Sequence, residues 1–294
     1  MANPQSAGSS DVWHEQFDPK HDLVSTTPTV RYVLCTTPRS GSHFLGHLLQ
    51  RSGFFGYPLE YFNPLNFPEW QKRAAAGGAS EVVEFLESKR TSPNGCFGIK
   101  LHYSHLTKAV EVIGLRPLID RWRFVLLRRR DVLGQAISWA RASQTRAWIS
   151  GMPELAPASY DRAAVAYRLT LVLEHTAGWQ RFLAENGVLP LELTYEDVMA
   201  NPADAVARIA DLLRIDLPDP PVAGELRTKV QRSHANDDWR EHFIADMREQ
   251  HRKMAARATW RPEATVVRRE PLATRLKRFA RGRLCRGSMF LRAP

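Results

Sequence analysis

The chain has 294 residues, of which 44% are hydrophobic and 24% are charged, as is ordinary for a water-soluble protein with one sizeable core. No run of 18 apolar residues occurs, and the first residues lack the basic-then-apolar profile of a signal peptide, so we expect a cytoplasmic protein. The three cysteines, Cys35, Cys96 and Cys285, are far apart. Their spacing predicts reduced thiols, with neither a disulfide framework nor a metal site.

The excess positive charge is concentrated at the C-terminal end. Residues 265–294 contain nine Lys or Arg and one acidic residue, a net charge of +8 out of the total of +10. The rest of the chain is nearly neutral, so we expect no nucleic-acid partner. A basic segment of this kind is typical of a solvated tail. Apolar residues recur in it at helical spacing, which leaves open an amphipathic helix that contacts the anionic inner surface of a membrane.

The chain divides into three predicted parts. Residues 1–29 are rich in Pro, Ser and Thr and predict a flexible lead-in, residues 30–255 a folded domain, and residues 256–294 a basic tail. Short apolar runs within the domain predict strands at 31–36, 96–101, 123–127 and 189–193, with helical patterns between them. The predicted fold class is therefore α/β, a single domain in which helices flank both faces of a P-loop-like parallel sheet.

The first predicted strand is followed by a short polar turn and then by a helix over 42–52 that Gly53 ends. A strand, loop and helix in this order place backbone amides and the positive end of a helix dipole around a phosphate. The loop lacks the lysine of the motif G-x-x-x-x-G-K-[ST], because Gly41 is followed by Ser42 and His43. This difference favours an anion held without Mg²⁺ by Arg39 and by hydroxyl groups. A simple capped turn is the alternative interpretation.

A second candidate anion site follows the third predicted strand. Three arginines at 128–130 end this strand, and the next helix carries an apolar face that includes Val132 and Leu133. Gly134 and Ser138 lie one turn apart outside that face, which predicts room for a ligand beside a hydroxyl. Ligands of open α/β sheets bind at such strand ends. A solvated arginine turn is the alternative.

The two sites together resemble the PAPS-dependent sulfotransferase superfamily, where PAPS is 3′-phosphoadenosine 5′-phosphosulfate. Within it, the chain is most similar to the trehalose 2-sulfotransferase-like branch, which includes relatives that act on nodulation-factor sugars. The resemblance covers about residues 31–245. Beyond the loop it depends on four motifs, Tyr57-Pro58-Leu59-Glu60-Tyr61-Phe62, Gly98-Ile99-Lys100-Leu101, the segment 129–138, and Gln144-Thr145-Arg146-Ala147-Trp148.

The resemblance implies two groups of donor contacts, to the 5′-phosphosulfate and to the 3′-phosphate of PAPS. The residues expected to bind the donor are Thr37, Pro38, Arg39, Ser40, Gly41, Ser42 and His43 at the first site, Arg129 and Ser138 at the second, and Arg232 in a closing segment. Tyr57 occupies a position that is acidic in the trehalose enzyme, which leaves the acceptor open.

The resemblance also implies that Glu60 is the general base. Glu60 lies among aromatic residues, so we expect desolvation to raise its pKa and to improve it as a base. A competing interpretation comes from Lys100-Leu101-His102, which resembles the K-x-H of animal cytosolic sulfotransferases, where the histidine is the base and the lysine lies near the transferring group. We therefore expect Glu60, with His102 as the alternative and Lys100 beside the transferring group.

The predicted function is transfer of a sulfuryl group from PAPS, without a metal, to a hydroxyl of a carbohydrate, glycolipid or small natural product. One alternative is a P-loop nucleotide kinase or phosphotransferase, against which the missing lysine counts. Another is a membrane-surface adaptor that acts through the basic tail. The resemblance leaves a homodimer open.

Overall fold

The computed structural model describes residues 15–75, 78–148, 152–218 and 234–257. The strands are β1 (Val30–Thr36), β2 (Cys96–His102), β3 (Trp122–Arg128) and β4 (Leu191–Thr194). The α-helices are α1 (Ser42–Ser52), α2 (Phe67–Ala74), α3 (Ala79–Arg90), α4 (Leu106–Ile113), α5 (Leu115–Arg121), α6 (Val132–Thr145), α7 (Arg162–Glu185), α8 (Tyr195–Ala200), α9 (Pro202–Leu213) and α10 (His234–Arg257). Short 3-10 turns occupy Glu15–Phe17, Pro19–His21 and Tyr103–His105.

The four strands form one parallel sheet in the order β2-β1-β3-β4. The inner strand β1 pairs along its whole length with β2, from Val30 opposite Cys96 to Thr36 opposite His102. Because parallel strands need a crossover connection, helices join each strand to the next. The predicted fold class, a parallel sheet with flanking helices, is confirmed.

Side chains of β1 and β3 alternate between two buried clusters on opposite faces of the sheet. Val33 and Phe124 belong to one cluster, whereas Leu34 and Val125 belong to the other. Trp70, Leu86 and Trp179, from α2, α3 and α7, complete the first cluster, and Leu45, Leu49 and Ile209, from α1 and α9, complete the second. Burial on both faces explains why these strands are continuous apolar runs in the sequence.

The first helix begins and ends where the sequence predicts, from Ser42 to Ser52, with Gly53 in the left-handed region at φ 79°. The fourth strand begins two residues later than predicted. Leu189 is 95% exposed, and β4 starts at Leu191, after Pro190, which has no N–H to donate to a neighbouring strand.

Part of the predicted lead-in packs against the core. The ring of Phe17 lies 4.9 Å from that of Trp70, and the fully buried Arg90 donates hydrogen bonds to the carbonyls of Gln16 and His21. The chain divides into two compact units, Met1–Asp246 and Met247–Pro294, and the whole sheet belongs to the first. The boundaries at residues 30 and 256 stay predictions. Within the described ranges, every helix is too short or too polar to cross a membrane.

Gly98, in the strand that carries Lys100 and His102, tests the packing of the sheet. A Cβ atom at Gly98 would lie 2.3 Å from the ring of Tyr32, whose hydroxyl is fixed by the carbonyl of Phe55. We expect Gly98→Ala to lower the free energy of unfolding by about 1–3 kcal/mol, measured by urea denaturation, because the buried ring must move. The control is Gly78→Ala, where the nearest atom would be 3.8 Å away. Equal stability of the two variants would contradict this packing.

Candidate functional site

The site lies where three parallel strands end. Thr36, the last residue of β1, pairs with His102, the last residue of β2, and Cys35 pairs with Leu126 of β3. The segments that follow β1 and β3 and the last residues of β2 therefore meet at one edge of the sheet. A hydrogen bond between the Thr36 hydroxyl and Nδ1 of His102, 2.7 Å long, connects two of these strand ends directly.

The loop after β1 has a backbone that opens the start of α1 toward a ligand. Arg39 and Gly41 both lie in the left-handed region, at φ 64° and 83°, and the N-terminus of α1 has no side-chain cap. Its first amides are thus available to an anion. A Cβ atom at Gly41 would lie 2.2 Å from the Tyr195 ring, so only glycine fits between this turn and α8.

Two buried side chains that the sequence analysis missed fix this loop. The amide nitrogen Nε2 of Gln135 donates to the hydroxyl of Thr37 and to the carbonyl of Pro38, both at 2.7 Å. The indole of Trp179 donates to the carbonyl of Thr36 at 2.8 Å. The sequence does contain a signal for Gln135, since it is a polar residue among the apolar residues of α6. A buried amide needs hydrogen-bond partners, so such a position predicts a polar contact.

Arg39 links the loop to the second predicted anion site. Its Nε donates to the hydroxyl of Ser138 at 2.9 Å, and its Nη1 donates to the carbonyl of Trp148. Burial, with the positive charge of Arg129 nearby, lowers the pKa of Arg39 to about 10. The structure therefore brings Arg39 together with Ser138 and Arg129, although both lie far from it along the chain.

Two polar atoms at this place lack a hydrogen-bond partner within the described part of the chain. They are the buried hydroxyl of Ser40 and the buried Nε of Arg129. Unpartnered buried polar atoms are costly, and two donors beside an open helix N-terminus and two guanidinium groups are suited to a bound anion. The residues present therefore fit a phosphate-bearing ligand.

The apolar face of α6 is buried at Ala136, Ile137 and Ala140, but the start of the helix differs from the expectation that Gly134 leaves room for a ligand. Val132 and Leu133 are half-buried, whereas Gly134 is buried. A Cβ atom at Gly134 would lie 2.1 Å from Oδ2 of Asp131 and 2.7 Å from Nη2 of Arg240. Gly134 thus makes space for the Asp131–Arg240 ion pair, 2.6 Å long, rather than for a ligand. Asp131 also caps α6.

Glu60, Lys100 and His102 form one cluster beside the loop. An isolated bridge between Leu59 and Ile99, with the Lys100 amide donating to the Leu59 carbonyl at 2.9 Å, aligns the Glu60 segment with β2. Oε1 of Glu60 lies 3.1 Å from the Lys100 ammonium and 3.1 Å from Nε2 of His102. The side-chain amide of Asn63 donates to the other carboxylate oxygen at 3.1 Å. The carboxylate of Glu60 therefore contacts both of the other predicted catalytic residues.

The pKa of Glu60 corrects the sequence expectation. Burial opposes ionisation of the carboxyl group, but the opposing effects of His102 and Lys100 together are larger and bring the pKa of Glu60 well below its ordinary value. The aromatic neighbours alone suggested a raised pKa. The electrostatic effect is not visible in the sequence, because Lys100 and His102 lie on β2, far from Glu60 along the chain.

The other histidines near this cluster, His43, His47 and His105, have lowered pKa values. Burial, with the positive charge of Lys100, lowers the pKa of His43 to about 2, and Nε2 of His43 lies 2.8 Å from Nε2 of His47. Burial, with His102 nearby, lowers the pKa of His105 to about 4. In the described ranges, His, Cys, Asp and Glu form no group of three suited to a metal ion. Arg232, a predicted phosphate contact, lies outside the described residues.

The ion cluster predicts a specific acid dependence of stability. Because the folded-state pKa of Glu60 is lower than its ordinary value of 4.5, its stabilising contribution is present above that pH and is lost as the pH falls toward the folded-state pKa. We expect the difference in free energy of unfolding between wild type and Glu60→Gln to shrink below pH 4.5. Each unit by which folding lowers the pKa of Glu60 contributes about 1.4 kcal/mol to the total loss. Urea denaturation across this range measures it. A difference that grows in acid would contradict the ion cluster.

Comparison with known proteins shows which family this chain belongs to. The sequence model of the family described as Stf0 sulphotransferase matches residues 31–246. Trehalose 2-sulfotransferase of Mycobacterium tuberculosis is 27% identical over 261 residues, covering 73% of this chain and 94% of that protein. Its counterpart in Mycolicibacterium smegmatis is 25% identical over 269 residues, covering 76% and 97%. A solved structure of retinol dehydratase with retinol and PAP aligns with a TM-score of 0.42 and 17% identity, over 78% of this chain and 80% of that one.

The predicted resemblance is thus confirmed, since the family match spans most of the chain. The chain belongs to the Stf0 sulphotransferase family and is a sulfotransferase.

Proposed function

We propose that this sulfotransferase moves a sulfuryl group from PAPS to a hydroxyl of a carbohydrate, a glycolipid or a small natural product. The observation that carries the proposal is the hydrogen bond between Arg39 and Ser138, which joins the loop after β1 to the helix after β3. A donor with phosphate groups on both its 3′ and 5′ positions needs two such anion sites side by side. The names of the two mycobacterial relatives, which are trehalose 2-sulfotransferases, support a sugar as acceptor.

The two sites would bind different ends of the donor. The loop residues Thr37 to His43, with the open amides of α1, would bind the 5′-phosphosulfate. Arg129 and Ser138 would bind the 3′-phosphate, and we retain Arg232 as a further candidate. PAPS supplies the sulfuryl group and a bisphosphate leaving group. Charge-assisted hydrogen bonds from arginine suit both ends of it, and the proposal includes no metal.

Glu60 is the proposed general base, and its hydrogen bonds support this assignment over His102. Both ring nitrogens of His102 have protein partners, Thr36 on one side and Glu60 on the other. The Glu60 carboxylate has about four lone-pair positions, of which Lys100, His102 and Asn63 use three. One remains for an acceptor hydroxyl, so Glu60 can take the proton while His102 fixes its orientation.

Lys100 has two roles in this arrangement. Its ammonium lies 3.1 Å from Glu60 at the end of β2, next to the donor loop, where positive charge stabilises the negative charge that develops on a leaving oxygen. An anion bound beside Lys100 also competes with Glu60 for the ammonium. Because the positive potential at Glu60 then decreases, the proton affinity of the carboxylate rises and it becomes a better base.

Two variants test the assignment of the base. We expect Glu60→Gln to lower the rate of a single turnover by about 10²–10⁴-fold, because general-base catalysis contributes a factor of that size, with little change in affinity for PAP, the 3′,5′-bisphosphate product. His102→Ala retains the carboxylate, so its rate decreases less. Rapid-quench measurement with saturating PAPS separates the two. A near-normal rate for Glu60→Gln with a large loss for His102→Ala would assign the base to His102 instead.

The donor is tested separately by ligand stabilisation. PAP at about 100 times its Kd, in the presence of EDTA, stabilises the folded protein by about 2.7 kcal/mol, measured as a rise in the thermal midpoint. Mg·ATP at the same concentration produces a smaller rise, since the loop lacks the lysine of triphosphate-binding loops. Arg39→Ala provides the control for specific binding. A larger rise with Mg·ATP would favour the kinase alternative.

Residues 265–294 lie outside the described residues. Contact of this basic tail with an anionic membrane surface, and a homodimer, remain proposals beside the enzymatic one.

A further inference from the structure

Two consecutive backbone amides of the turn between β3 and α6, directly after Arg129, donate hydrogen bonds to the same carboxylate, that of Glu196. The two oxygens of Glu196 accept hydrogen bonds from the backbone amides of Arg130 and Asp131, at 3.0 and 3.1 Å. Glu196 lies in the first turn of α8, where negative charge is stabilised by the helix dipole. One side chain therefore fixes two consecutive peptide groups directly after Arg129.

The preceding residue, Tyr195, contacts both anion sites. The guanidinium of Arg129 lies over the Tyr195 ring, 5.0 Å from its centroid, and the same ring fills the space beside Gly41. Arg129 Nη1 also approaches the carbonyl of Arg39 at 3.5 Å. The first turn of α8 thus touches the loop after β1 and the turn after β3 at the same time.

We propose that Glu196 is a positioning residue, which orients Arg129 so that the enzyme distinguishes a 3′-phosphorylated donor from one without that phosphate. The inference rests on the proposed function, in which Arg129 binds the 3′-phosphate. In this proposal Glu196 does not contact the donor and acts through the backbone. Without it, the peptide groups that set the direction of Arg129 lose both of their hydrogen bonds to the carboxylate.

The other contacts of Arg129 explain why this backbone support matters. Its Nε has no partner within the described part of the chain, and Asp131 lies 3.7 Å from its Nη2 while making a shorter pair with Arg240. The unpartnered Nε and the long distance to Asp131 leave the direction of the guanidinium dependent on the backbone that carries it. Water can hydrogen-bond to the freed amides of a Glu196 variant, so the fold survives, but water does not fix their direction.

The test compares two nucleotides that differ only in the 3′-phosphate, PAP and adenosine 5′-phosphate, by calorimetric titration of the full chain. We expect Glu196→Ala to weaken PAP about tenfold, as for the loss of hydrogen bonds to a charged group, and to leave adenosine 5′-phosphate within about twofold. Glu196→Gln keeps one acceptor oxygen, so its effect is intermediate. The matched control is Glu192→Gln, which removes a carboxylate paired with the neighbouring Arg128 and leaves the ratio of the two affinities unchanged.

Arg129→Ala distinguishes failure of this inference from failure of the proposed function. If Arg129→Ala lowers the affinity ratio and the Glu196 variants keep the wild-type ratio, the positioning role is wrong and the donor assignment stands. If wild type itself shows no preference for PAP, both are wrong. Equal weakening of the two nucleotides by Glu196→Ala would assign it a structural role only. The double variant Arg129→Ala/Glu196→Ala is expected to lose no more discrimination than Arg129→Ala alone.

Discussion

The parallel pairing of β1 with both β2 and β3 is the constraint on which the site depends. It brings the loop after Thr36, the pair Lys100 and His102, and the arginines after β3 to one edge of the sheet. The Glu60 segment joins the same edge through the bridge between Leu59 and Ile99. The site is assembled from several segments, so a shift in register of one strand would separate Glu60, the proposed base, from the loop after β1.

Charge is distributed unevenly across this edge. Burial disfavours the positive charge of Arg39, and the like charge of Arg129 adds to this cost. Asp131 lies 3.7 Å from Arg129 but makes a shorter ion pair with Arg240, and Glu60 pairs with Lys100 and His102. Negatively charged phosphate groups bound beside the two arginines would reduce this repulsion, so the charge distribution favours the proposed donor.

The sequence predicted those features that depend on neighbours along the chain. The helix 42–52, its end at Gly53 and the strand before the loop follow from local apolar periodicity and glycine chemistry. The grouping of the predicted catalytic residues came from a resemblance to known motifs. Contacts between residues far apart along the chain could not be predicted from the sequence. Examples are the hydrogen bonds of Gln135 to the loop, the Tyr195 ring beside Gly41, and the ion cluster that lowers the pKa of Glu60 where a raised pKa was expected. Each depends on three-dimensional packing, for which periodicity carries no signal.

Transfer of radiolabelled sulfur from PAPS to an isolated acceptor measures the proposed reaction itself. Purified protein would be incubated with the labelled donor in EDTA, with trehalose, other sugars or a polar and lipid extract of the source cells, and the labelled product identified by mass spectrometry. We expect wild type to form a product with one sulfated hydroxyl, and Arg129→Ala to form much less of it. Absence of labelled product with every acceptor, while PAP fails to bind, would contradict it.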